Sequence, residues 1–193
     1  MLPDPWLERW LPLLHEVAGS HPVLEIGCGT GDDTATLVGK GFSVVSFDIS
    51  EASVATTKLR VPAATVTRQD LRDPFPVVSG SARAVVAGLT LHYFPWLETV
   101  GLVERIHRTL LPGGLLLCRL NSTEDHNFGA KGNPEIERNY YLVDGRPKRF
   151  FDESDVDQLF QSGWQILSKG HMSTRKYIRT KALWEIILRS GDP

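Results

Sequence analysis

The chain has 193 residues, 41% of them hydrophobic and 23% charged, with a formal net charge of -2. That is enough for one domain, residues 1–193, with a sizeable core, and the charge balance gives no electrostatic reason to expect a nucleic-acid partner. Two cysteines without metal-ligand spacing, acids and an arginine (Asp4, Glu8, Arg9) in place of a leader pattern, and no apolar run near the ~18 residues of a membrane span point to a reducing, cytoplasmic setting with no metal and no membrane.

Residues 5–18 predict an amphipathic N-terminal helix within residues 1–20, with Trp6, Leu7, Trp10, Leu13 and Leu14 on one stripe. It either packs on the sheet edge or serves as part of a lid, its indole faces turned to a cation. The organising stretch follows: a short buried strand carrying Glu25, the loop Gly27-Cys28-Gly29-Thr30-Gly31, and a helix opening at Asp32-Asp33. Strand, bare-backbone turn and helix N-terminus form the first βα unit of a doubly wound nucleotide-binding sheet. A dinucleotide fingerprint is G-x-G-x-x-G. Here the third glycine falls one position early, at Gly31, and two acids repel the pyrophosphate that would use that helix end. A ligand with an adenosine and a positive charge suits the loop better.

The helix is expected to run to about Lys40 and end at Gly41. Residues 43–50 read as a second buried strand ending in Asp48, 21 residues beyond Gly27, with Ile49 beside it. At that spacing a carboxylate reaches ribose hydroxyls, while a helix N-cap is its alternative role. A helix over 51–60 and a strand over 64–71 follow, the latter leaving through Gln69-Asp70-Leu71. Residues 82–91 are strongly apolar and read as a fourth strand beside the first. Its carboxyl end brings Gly88, Leu89, His92 and Tyr93 to the switch point. The next helix carries Val100, Val103, Ile106 and Leu110, with a Glu104–Arg108 pair, and Leu111-Pro112-Gly113-Gly114 stops it. A fifth strand over 115–120 delivers Arg119 and Asn121 to the same rim.

Residues 122–151 are a long polar insertion rich in aromatic residues, which argues against disorder and for a cap over the strand ends. It holds Phe128, Tyr140, Tyr141, Phe150 and Phe151, and Asp144-Gly145 predicts a small hairpin. Residues 119–151 carry six basic and five acidic side chains, a near balance that favours no charge of ligand. Asp152 reads as the N-cap of a last helix through Phe160, ended by Gly163. Residues 164–168 and 182–188 predict two final strands. Between them Lys169, Arg175, Lys176, Arg179 and Lys181 form either a solvated hairpin or a docking face for an acidic partner.

The glycine loop preceded by Glu25, the Asp48 acid, the Gln69-Asp70-Leu71 exit and Leu111-Pro112-Gly113-Gly114 together resemble the class I S-adenosylmethionine-dependent methyltransferases. Leu91-His92-Tyr93-Phe94, Asn121-Ser122-Thr123 and Arg149-Phe150-Phe151 resemble its small stand-alone bacterial members of the tellurite-resistance and methyltransferase domain 11/25 type. The resemblance implies an α/β fold with a doubly wound, seven-stranded, mostly parallel sheet, an antiparallel last strand and a cap insertion after strand five. It implies S-adenosylmethionine as cofactor, held by Glu25, Gly27, Cys28, Gly29, Gly31, Asp48 and Ile49. Asp70 with the Leu71 backbone would meet adenine, and Gly88 and Leu89 the methionine part.

No Asn/Asp-Pro-Pro-Tyr/Phe motif and no Pro-Cys nucleophile accompany these motifs, so a small-molecule acceptor is expected rather than nucleic acid. Its candidate contacts are Tyr93, Arg119, His126, Tyr140, Tyr141 and Arg149. His92 is the candidate catalytic base, with a structural, hydrogen-bonded histidine as the alternative. Rival readings are a cofactor-binding or partner subunit without catalysis, and a nicotinamide-dependent oxidoreductase. A monomer or homodimer is expected.

Overall fold

The computed structural model describes residues 5–175 and 179–191. Its large sheet is built from β1 (Val23–Ile26), β2 (Val44–Asp48), β3 (Thr65–Arg68), β4 (Ala82–Gly88), β5 (Leu110–Asn121), β9 (Trp164–Thr174) and β10 (Lys181–Ser190). A second, small sheet is built from β6 (Glu135–Glu137), β7 (Tyr140–Val143) and β8 (Arg146–Arg149). The strand orders are β3-β2-β1-β4-β5-β10-β9 and β6-β7-β8. The first five strands are mutually parallel and β10 runs antiparallel to both of its neighbours.

Strand burial explains the order. Leu24 and Ile26 of β1 and Leu116, Cys118 and Leu120 of β5 face one core, with α4 (Trp96–Thr109) and α5 (Glu153–Leu159) packed on it. Val23, Leu115 and Leu117 face the other, under Trp6, Leu7, α1 (Leu11–Ala18) and α2 (Asp32–Gly39). Strands covered on both faces read as continuous apolar runs. Each fully buried large side chain, Phe47 for example, contributes roughly 1.5–3 kcal/mol. The chain leaves β3 on one side of β1 and returns at β4 on the other, so the crevice between the β1 and β4 ends is the topological switch point. No helix among the described residues is long and apolar enough to cross a membrane.

Several boundaries differ from the sequence expectation. The N-terminal helix is a 3-10 turn, Glu8–Trp10, continued by α1. The fourth strand stops at Gly88 because Leu89 takes a left-handed conformation (φ 58°), and the chain then coils into a 3-10 turn at Leu91–Tyr93. Leu110 is not on the helical stripe; it is extended and begins β5, which includes the Pro-Gly-Gly. β9 is about twice the expected length.

The helix α3 (Glu51–Arg60) lies where expected, with Ser50 capping it by accepting the Ser53 N–H. The basic stretch 169–181 is not one solvated face: Lys169 pairs with Glu153 and Asp157, and Lys181 is buried against Asp125. Lys176 lies outside the described residues.

The insertion is an ordered cap. Its three strands pair antiparallel, and the tight turn between β7 and β8 has positive φ at both Asp144 and Gly145. Arg149 pins the cap down: its side chain is 2% exposed, donates to the Phe94 and Arg138 carbonyls and pairs with Glu137.

A capping box on α5 closes the return, with Asp152 accepting the Asp155 N–H at 2.8 Å and the Asp155 carboxylate accepting the Asp152 N–H. Asp152→Ala is expected to cost about 1 kcal/mol, lowering Tm by about 3 °C in a calorimetric scan.

Candidate active site

Over the carboxyl ends of β1, β2, β4 and β5 lies a cleft of about 1320 Å³, lined from the glycine loop at one end to the cap at the other. Gly27, Gly29, Asp48, Ile49, Asp70, Leu71, Gly88 and Leu89 line the first part; His92, Tyr93, Arg119 and His126 line the second.

The glycine loop is held rigidly. Gly27 (φ 76°) has no room for a Cβ, which would meet Thr90 Oγ1 at 2.3 Å. Thr90 in turn donates to the Ile26 carbonyl and so ties the end of β1 to the turn after β4. At Gly29 (φ 52°) an added Cβ meets nothing within 4 Å, so the bare side of the loop opens onto free space. Both Asp48 oxygens are anchored by backbone, one accepting the Gly29 N–H at 2.9 Å and the other the Ser50 N–H at 2.9 Å. A carboxylate has about four acceptor positions, so lone pairs remain for two hydroxyls. This cradle fits the adenosyl ligand implied by the resemblance.

Three residues of β1 and the loop that were expected to hold the cofactor sit behind the cleft. Glu25 is buried and accepts a hydrogen bond from Thr34 Oγ1 at 2.5 Å; burial pushes its carboxyl up to about 7. Cys28 packs against Val54 and Val66, and burial raises its thiol. Gly31 abuts Thr57, whose hydroxyl donates to the Gly29 carbonyl. These three shape the loop from beneath.

The two acids at the start of α2 are both engaged. Asp32 pairs with Arg60, while Asp33 accepts the Trp6 indole N–H at 2.9 Å and lines the cleft beside Gly88. A carboxylate in that wall favours a cationic ligand group over a phosphate. Trp6, expected either to pack on the sheet or to serve in a lid, is packed in the core on the sheet and also borders the cleft. Arg119 lies over its ring at 4.5 Å and is bound by Glu185, which also holds Arg9 and Trp10.

At the cap end, the 3-10 turn after Leu89 buries His92 to 4% exposure while leaving Tyr93 53% exposed. Non-glycine residues at positive φ are strained and concentrate at functional turns, and Leu89 is such a residue. Burial, followed by the charges of Lys181 and Lys148, pushes the His92 pKa well below its ordinary 6.5. His92 Nδ1 and Asn121 Oδ1 are buried without a hydrogen-bond partner among the described residues.

Three expected acceptor contacts lie outside the cleft lining. Arg149 is the strut described above, because a buried guanidinium needs the carbonyls it spans. Tyr140 is buried and donates its hydroxyl to the Tyr93 carbonyl at 3.0 Å. The Tyr141 ring packs on Phe150. The basic cap side chains in the cleft, besides His126, are instead Lys131, Arg146 and Lys148, with Lys181 entering from β10. Sequence alone does not place Lys148 and Lys181 in the cleft wall, since nothing in their spacing separates them from surface lysines.

Residues 23–114 match a family of methyltransferase domains. An uncharacterized methyltransferase of Synechocystis sp. is 30% identical over 99 residues, covering 51% of this chain and 46% of that protein. A trans-aconitate 2-methyltransferase of Acidovorax ebreus is 29% identical over 125 residues, covering 61% and 47%. The chain thus spans about half the length of these curated relatives. Among solved structures, a SAM-dependent methyltransferase from Methanosarcina mazei superposes with a TM-score of 0.76 at 17% identity, covering 94% of this chain and 98% of that one, which establishes the shared fold.

Proposed function

We propose that this chain, whose residues 23–114 match a family of methyltransferase domains, moves the methyl group of S-adenosylmethionine to a small-molecule acceptor held beneath the cap. The observation that carries this is the single continuous cleft, with a glycine cradle and Asp48 at one end and a partly basic compartment under the cap at the other. Donor at the loop and acceptor at the cap would lie end to end.

The bound donor supplies an activated methyl on a sulfonium, so the protein's main task is to hold the partners in line and keep water away. Asp48 would accept the ribose hydroxyls, Asp70 and Leu71 would meet the adenine edge, and Gly88 and Leu89 would offer backbone to the amino-acid end. Glu25, Cys28 and Gly31 would act through the loop they support. Tyr93, Arg119 and His126, which line the cleft, would contact the acceptor; Tyr140, Tyr141 and Arg149 would act by fixing the cap around it.

His92 stays uncharged at neutral pH. It would orient the acceptor by hydrogen bonding and take its proton only if the acceptor is not already ionised. His92→Ala is expected to lower turnover by at least 10-fold while the dissociation constant for S-adenosylhomocysteine changes less than 2-fold. Unchanged turnover would remove it from the mechanism.

Trans-aconitate, for which the Acidovorax ebreus relative is named, is the first acceptor to try. The test is calorimetric titration with S-adenosylmethionine and with NAD, then conversion of the donor to its thioether in the presence of candidate acceptors. Binding of NAD in preference to the sulfonium would overturn the reading.

A further inference from the structure

The near balance of charges over residues 119–151 does not survive folding. Most of the cap acids are drawn into structural contacts and do not line the cleft: Glu137 pairs with Arg149, Asp125 pairs from behind with Lys181, and Glu135 accepts the Asn139 N–H. Arg138 is drawn away as well, by Asp152 and Asp155. What remains in the cleft wall at the cap end is Lys131, Arg146 and Lys148 against one acid, Asp144. At the loop end the wall carries Asp33 and Asp48, with Asp70 paired to Arg72 in the same lining. One cleft therefore has two ends of opposite sign.

Lys148 is the focus of the positive end. Its ammonium donates to the Phe128 carbonyl at 2.8 Å and lies 5.7 Å and 5.2 Å from the Phe128 and Phe150 ring centres, with no carboxylate in ion-pair contact among the described residues. The second ammonium near the same ring, Lys181, is 4.8 Å from its centre and is neutralised by Asp125 at 2.6 Å. A partly buried cation without a counter-charge is costly, and an arriving anion would relieve that cost. Beside it, the partnerless His92 Nδ1 and Asn121 Oδ1 belong to residues that line the same compartment.

Resting on the methyltransferase reading, we propose that the acceptor is a small oxyanion, a carboxylate or phosphate compound, whose charged group seats on Lys148 beneath the cap. Arg146 and Lys131, both exposed and both in the cleft lining, steer it inward. The opposed charges also orient the pair, since the cationic donor is drawn to the acidic end and the acceptor to the basic one.

The pH dependence carries a second signature. Burial first, then Lys181, lowers the Lys148 pKa from 10.5 to about 8, while Asp125 and Asp144 act in the opposite direction. Anion binding favours protonated Lys148, so affinity is present below that pKa and is lost as pH rises through it. Lys181 is lowered too but is held by Asp125, and His92 remains neutral across the range.

The experiment is calorimetry on the full chain saturated with S-adenosylhomocysteine, titrated with citrate, inorganic phosphate and uncharged trimethyl citrate. We expect citrate or phosphate to bind, the stronger of the two identifying the acceptor's charged group, and the triester not to bind. The affinity for citrate should fall about 10-fold between pH 7 and pH 9 as Lys148 loses its proton. Lys148→Met should weaken the anion at least 10-fold and abolish the pH dependence, whereas Lys148→Arg should retain binding and leave it flat in pH. Failure of both anions to bind, or binding unchanged in Lys148→Met, overturns the proposal while normal homocysteine-nucleoside binding keeps the methyltransferase reading. Failure of S-adenosylhomocysteine itself to bind overturns that reading instead.

Discussion

Asp48→Ala is expected to raise the dissociation constant for S-adenosylmethionine about 100-fold, or ~2.7 kcal/mol. Hydrogen bonds to a charged acceptor are each worth roughly 1.5–3 kcal/mol, and the substitution removes two kinds at once. One is the proposed pair to the ribose. The other is internal, because the same carboxylate accepts the Gly29 N–H and the Ser50 N–H and so fixes the loop against the start of α3. Asp48→Asn keeps one acceptor oxygen and should lose less, about 10-fold. Calorimetric titration measures both, and an affinity within 3-fold of the unmodified protein for Asp48→Ala would remove the residue from donor binding.

Asp125→Ala is expected to destabilise the fold by about 3–5 kcal/mol. Asp125 has no exposed side-chain surface; it pairs with Lys181 at 2.6 Å and accepts the Ala182 N–H at 3.1 Å. Removing it strands a buried ammonium and leaves a backbone donor without its partner. By the usual scaling for a chain of this size the Tm falls about 10 °C. The diagnostic comparison is Asp125→Ala with Lys181→Met, which removes both charges and should recover much of the loss, because replacing a buried pair outright is far cheaper than breaking it. A Tm no higher in the double variant would mean that the ion pair is not the source of the effect.

The central architecture is legible in the sequence because it rests on local signals. Apolar runs near residues 23–26, 44–48 and 82–88 suit strands covered on both faces, and alternating glycines after the first suit a tight turn. The cap's chemistry is not legible, because it depends on which charges meet across the chain. Arg149 and Lys148 are adjacent in sequence and opposite in fate: alternation along β8 sends one inward to brace Phe94 and leaves the other beside Phe128 in the cleft. No composition count separates them. The turn at Leu89 is equally hidden, since a leucine gives no warning of a left-handed conformation that only tertiary packing can impose.

The wall beside Gly88 joins remote parts of the polypeptide: Arg9 and Trp10 grip Glu185 of β10, Glu185 grips Arg119, and Arg119 lies over Trp6. During synthesis on the ribosome, therefore, the glycine turn and its carboxylate are made early, but this flank waits until residue 185 has cleared the exit tunnel. A nascent polypeptide would have half a crevice, open to water along the flank that Trp6 and Arg119 close once β10 pairs with β5.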